Sequence, residues 1–118
     1  MKLNFITLMV RDIKQSVAFY KELVGLQEMN RISLEAGEIV FLANSKGETM
    51  IELIEFDGVE KVETKGMVMS YLADTELEEL REKAIQLGYT PSEIIDKGPK
   101  PKYFTITDPD GIVVEFSI

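Results

Sequence analysis

The sequence predicts an α+β fold built from two βαβββ modules. Three observations carry this expectation. The hydrophobic period switches from strand to helix and back to strand twice, over about residues 1–57 and about 65–118. An offset of 62 or 63 residues relates Asp12 to Asp74, Gly25 to Gly88 and Glu52 to Glu115, a mark of internal duplication. A chain of 118 residues, 45% hydrophobic, is one domain's worth with material for a core.

The elements follow in order. LNFITLMV, residues 3–10, is β-branched and aromatic and predicts the first strand. Asp12 then opens a helix as N-cap, with Gln15 completing a capping box. Ile13, Val17, Tyr20 and Val24 form its apolar stripe, and Gly25 stops it. Strands are expected at 27–34, 38–43 and 49–56, separated by Gly37 and the NSKG turn. The second module opens with a strand over 67–73. Thr75 caps a helix with Glu78 at the box position, Leu77, Leu80, Ala84 and Leu87 form the stripe, and Gly88 ends it. Strands are expected at 92–96, 102–107 and 112–118, joined by KGPKP and DPDG.

Composition narrows the chemistry. The net charge of −8 argues against nucleic acid, whose phosphates need a basic surface. No apolar run suits a membrane span, and no leader pattern stands at the start; a cytoplasmic protein is expected. Cysteine and histidine are both absent. That removes disulfides, thiol nucleophiles, histidine bases and imidazole metal sites.

Two glutamates sit inside apolar strands: Glu52 between Ile51 and Leu53, and Glu115 between Val114 and Phe116. A buried carboxylate needs a partner, a metal or water. Strand alternation puts Ile6, Leu8 and Val10 toward the helix and Phe5, Thr7 and Met9 away from it. By the same alternation Met50 and Glu52 face away, as does Glu115. Met67, Met69 and Tyr71 share one face of their strand, and Tyr103 faces away if Phe104 faces the helix. This mixture of apolar and polar groups suits a ligand cleft. It equally suits a half-exposed sheet face. The methionines fit a soft pocket wall or ordinary core filling. Lys97, Lys100 and Lys102 form a basic run that fits an anionic ligand or a solvated loop.

The opening strand, VRDIKQSVAFYKELVGL and the closing DPDGIVVEF resemble the vicinal-oxygen-chelate superfamily, which includes glyoxalases, extradiol dioxygenases and bleomycin-resistance proteins. The resemblance covers nearly the whole chain. It implies curled mixed sheets around a cleft and a homodimer in which that cleft lies within one chain or between two. It also implies a metal site in which each half gives one ligand from its first strand and a glutamate from its last. Glu52 and Glu115 match the glutamates. The first-strand positions match Phe5 and Met67. Phenylalanine cannot bind a metal, and methionine is too soft a ligand for the ions of this family.

The resemblance therefore points to a binder of apolar or aromatic small molecules, like the bleomycin-resistance members, with no cofactor expected and no glyoxalase activity by the usual mechanism. Its expected ligand contacts are Phe5, Thr7, Met9, Met50, Glu52, Met67, Met69, Tyr71, Tyr103 and Glu115. The alternative is a lyase or isomerase, metal-free or dependent on a divalent ion, with Glu52 and Glu115 as catalytic or ligating candidates.

Overall fold

The computed structural model describes all residues, Met1–Ile118. They form two compact units, Met1–Glu63 and Thr64–Ile118, each holding one mixed sheet. The boundary falls between the two modules read from the sequence, and the α+β class holds.

Unit one contains β1 (Phe5–Met9), α1 (Ile13–Ala18), a π-helical continuation (Phe19–Leu23), β2 (Gln27–Leu34), β3 (Gly37–Ala43) and β4 (Met50–Phe56). The strand order is β1-β4-β3-β2, with β1 parallel to β4 and the other pairs antiparallel. Leu8, Val10, Val40, Leu42, Ile51 and Leu53 are buried on the face that α1 covers. The helix is fastened at its start from two directions. The Asp12 side chain accepts from the Lys14 and Gln15 N–H groups, and Glu55 Oε1 on β4 accepts from the Ile13 N–H at 2.8 Å. These bonds satisfy donors that a helix leaves without intrahelical partners. Replacing Asp12 by Ala is expected to cost about 1 kcal/mol, measured by denaturant unfolding.

The helix stripe differs from expectation. Ser16, Phe19 and Leu23 are buried beside Ile13 and Tyr20, whereas Val17 and Val24 are only half-buried. The segment closes on a π turn, in which the Val24 N–H bonds to the Phe19 carbonyl five residues back. The buried set Ile13, Ser16, Tyr20 and Leu23 keeps helical spacing, one position before Val17 and Val24. Gly25 ends the segment at a φ of 85°, as expected.

Unit two contains β5 (Val68–Leu72), α2 (Leu77–Gln86), β6 (Tyr103–Thr107) and β7 (Val113–Ser117), in the order β5-β7-β6. Glu76 rather than Thr75 is the N-cap of α2, and it makes no side-chain capping bond. Leu77 and Ala84 are buried, and Leu87 is exposed. The strand expected over 92–96 reduces to a single bridge, Ile95 with Tyr103. Ser92 bonds to Thr105 and Ile95 to Tyr103, so four residues of one segment face three of the other. That mismatch breaks the ladder. The DPDG turn is held by Asp108. Its Oδ1 accepts from the N–H groups of Asp110 and Ile112 at 2.8 and 3.0 Å, and Gly111 takes a φ of 85°.

Candidate functional site

In unit one the parallel register pairs Phe5 with Met50, Thr7 with Glu52 and Met9 with Ile54. Glu52 is in turn opposite Phe41, and Ile54 opposite Ile39. These residues share the sheet face that α1 does not cover, where the sequence places Phe5, Thr7, Met9, Met50 and Glu52. Phe5 and Phe41 meet edge to face, with ring centroids 5.6 Å apart. Thr7 Oγ1 donates a hydrogen bond to Glu52 Oε1. At one end of this face lies a cavity of about 600 Å³ lined by Lys2, Asn4, Met29, Ala43, Lys46 and Met50, among others. Met29 is the extra residue of a bulge in β2, between Glu28 and Asn30. Bulges re-aim side chains in this way.

In unit two the register pairs Val68 with Val113, Ser70 with Glu115 and Leu72 with Ser117. Met69 and Tyr71 are paired with the buried Val114 and Phe116, on the core side. This corrects the expected face of Met67, Met69 and Tyr71, because β5 is in the opposite phase. Met67 precedes the strand and is half-buried, and Met69 is buried. Tyr71 packs against Phe116 at 6.2 Å, and burial, with the Asp108 charge second, pushes its hydroxyl pKa up to about 12. The correction also moves the first-strand counterpart of Phe5. It is Val68, two residues before Ser70 as Phe5 is two before Thr7. Neither residue offers a metal a donor atom.

The two units thus carry the same construction. A hydroxyl on the first strand donates to a glutamate on the last: Thr7 to Glu52, and Ser70 to Glu115 Oε1, the latter at 2.8 Å. Around Glu115 a further group intervenes. Lys100 donates to Glu115 Oε2 and lies over the Tyr103 ring, 4.5 Å from its centroid. Tyr103 is on the Glu115 side, as expected, with Phe104 and Ile106 buried behind it. The basic run is divided: Lys100 serves Glu115, and Lys102 serves Glu78. No three His, Cys, Asp or Glu side chains stand together in metal-binding range.

The Lys100 bond, reinforced by Ser70 and working against burial, holds the Glu115 carboxyl below its ordinary 4.5. A depressed carboxyl contributes stability that is present above its unfolded value and lost as pH falls through the folded one. Glu115→Gln is therefore expected to flatten the fall in melting temperature below about pH 4.5, compared with the unmodified chain. An unchanged pH profile would contradict the pairing.

The Glyoxalase/Bleomycin resistance protein/Dioxygenase superfamily description matches residues 2–116. The chain belongs to this superfamily. It is 33% identical over 114 residues to the uncharacterized protein YwbC of Bacillus subtilis, covering 92% of this chain and 90% of that one. Two solved structures share the fold. TnmS3, an antibiotic binding protein from Streptomyces sp. CB03234, superposes with a TM-score of 0.76 at 17% identity, covering 99% of this chain and 94% of that one. A glyoxalase I mutant from Zea mays superposes with a TM-score of 0.85 at 20% identity, covering 98% of this chain and 44% of that one. No helix is long and apolar enough to cross a membrane.

Ser70, Lys100, Phe41 and Met29 were not among the expected contacts. Ser70 had a signal, since it stands 63 residues after Thr7 just as Glu115 stands 63 after Glu52. Lys100 stood out only as part of the basic run, and its partner is fixed by the fold of its loop.

Proposed function

We propose that the chain binds an apolar or aromatic small molecule on the open sheet face of unit one, without a catalytic metal. One observation carries the reading. The face around Thr7 and Glu52 is apolar and aromatic, with Phe5, Phe41 and Met50 beside a cavity of about 600 Å³. Sites of this kind are mostly apolar, with a few polar groups that orient the ligand. The metal does not fit this donor set. Phe5 and Val68 replace its first-strand ligands, and Lys100 already places a cation on Glu115. The antibiotic binding named for TnmS3 supports the same direction.

The test is a melting-temperature screen of aromatic and apolar compounds, with and without EDTA. A ligand that binds the folded state raises the melting temperature by mass action. The expected result is a saturable rise that EDTA leaves unchanged. Phe5→Ala and Met50→Ala should each weaken the ligand found by about tenfold or more, as burial of one such side chain is worth about 1.5–3 kcal/mol. Binding that disappears in EDTA would overturn the metal-free reading.

A second reading is a metal-free lyase or isomerase in which Glu52 moves a proton. It is favoured by the half-buried Glu52, whose hydrogen-bond partner is the neutral hydroxyl of Thr7. Under that reading Glu52→Gln abolishes turnover while ligand binding persists. Either reading is proposed for a homodimer. Leu34, Val68 and Leu72 support a second copy of the chain, being apolar and exposed. Sedimentation at several concentrations tests it.

A further inference from the structure

Glu115 is a buried carboxylate served by a lysine whose side chain is more than half exposed. The residue is 6% exposed, whereas the Lys100 side chain is 54% exposed. Lys100 belongs to a segment outside any helix or strand, residues 97–101. There Gly98 takes a φ of 78°, and Pro99 and Pro101 have no N–H to anchor. The lysine ammonium bonds Glu115 Oε2 and covers the face of Tyr103, while Ser70 holds the other carboxylate oxygen. A carboxylate beside an aromatic face is a receptor for one ammonium group.

We propose that this cluster is an alkylammonium-binding site, and that Lys100 is its tethered and displaceable occupant, giving way to an amine-bearing ligand. The site lies in unit two and stands independently of the unit-one face proposed above. If Lys100 swings away, its side chain, already 54% exposed, carries the ammonium out to water. Glu115 cannot follow, because β7 is the central strand of its sheet. A buried carboxylate left without a cation is strongly unfavourable, so the site accepts an exchange of cations and rejects a neutral replacement. The exchange keeps the charge balanced, one ammonium leaving as another enters. A net charge of −8 raises the local concentration of cations around the chain. A group tethered by a short flexible segment competes at an effective concentration in the millimolar range. A bare amine must overcome that competitor, and a larger ligand does so through its additional contacts.

The experiment compares the unmodified chain, Lys100→Met and the Lys100→Met/Glu115→Gln double variant. Each is melted in ethylammonium chloride and in sodium chloride at matched ionic strength. Methionine keeps an apolar stem over Tyr103 and removes the charge. Ethylammonium should raise the melting temperature of Lys100→Met saturably beyond sodium. The unmodified chain should need at least about tenfold more amine, and the double variant should show no difference between the salts. Equal shifts in the two salts for Lys100→Met, or a shift retained in the double variant, would overturn the proposal. Should Lys100→Met fail to fold, an NMR titration of the unmodified chain replaces it. Saturable movement of the Tyr103 ring and Ser70 signals with ethylammonium but not sodium supports the site, and no movement overturns it. Phe5→Ala separates the two readings: it weakens aromatic ligands in unit one and leaves the ethylammonium response intact.

Discussion

Gly37→Ala is expected to destabilise the chain by about 3 kcal/mol, near the top of the range for overpacking. Gly37 opens β3 directly opposite Phe56. A Cβ there would lie 2.0 Å from the Glu55 carbonyl oxygen and 2.1 Å from Cδ1 of the Phe56 ring. The ring can turn aside, but the carbonyl belongs to the backbone of β4 and can move only with the strand. That movement would disturb Glu55, whose side chain fastens the start of α1, and the end of the strand that carries Glu52. Denaturant unfolding should show a lower midpoint at an unchanged slope. The exposed neighbour Glu35→Ala should remain within about 0.5 kcal/mol. A Gly37→Ala effect of that same small size would show that the strand yields easily.

Phe116→Ala should cost about 4 kcal/mol, within the range for truncating a buried aromatic. Phe116 is buried between two rings, Phe104 at 5.3 Å and Tyr71 at 6.2 Å. Ring pairs of this kind add to the cavity term beyond the area that they bury. Leu72→Ala on the other face of β5 removes a side chain that is 79% exposed in the single chain and should change little at concentrations where the chain is monomeric. The contrast tests the phase of β5 directly. If Leu72→Ala were the costly change, Tyr71 and Met69 would belong to the ligand side after all.

That phase shows where the sequence was informative and where it was silent. In β1 the polar Thr7 stands among apolar neighbours and marks the open face. In β4 Glu52 does the same. The stretch from Met67 to Leu72 is apolar in both phases, so alternation alone cannot orient it. Only Ser70 breaks the pattern, and its meaning depends on the repeat offset. The helix stops at Gly25 and Gly88 were legible because a left-handed backbone there suits glycine. The stripe of the first helix was not, because the positions three and four residues on border the same face and the buried one here, Ser16, is polar. The pairing of Lys100 with Glu115 lay beyond reach for another reason. They stand fifteen positions apart, with β6 and two prolines between them, and no periodic rule spans such a segment.

The matched pairs, Thr7 with Glu52 and Ser70 with Glu115, bear on how such a chain changes over generations. A hydroxyl donor keeps a strand carboxylate partnered whatever else is lost around it. A substitution at Phe5 or Val68, two residues along the same strand from the hydroxyl, therefore leaves the bond to the glutamate in place.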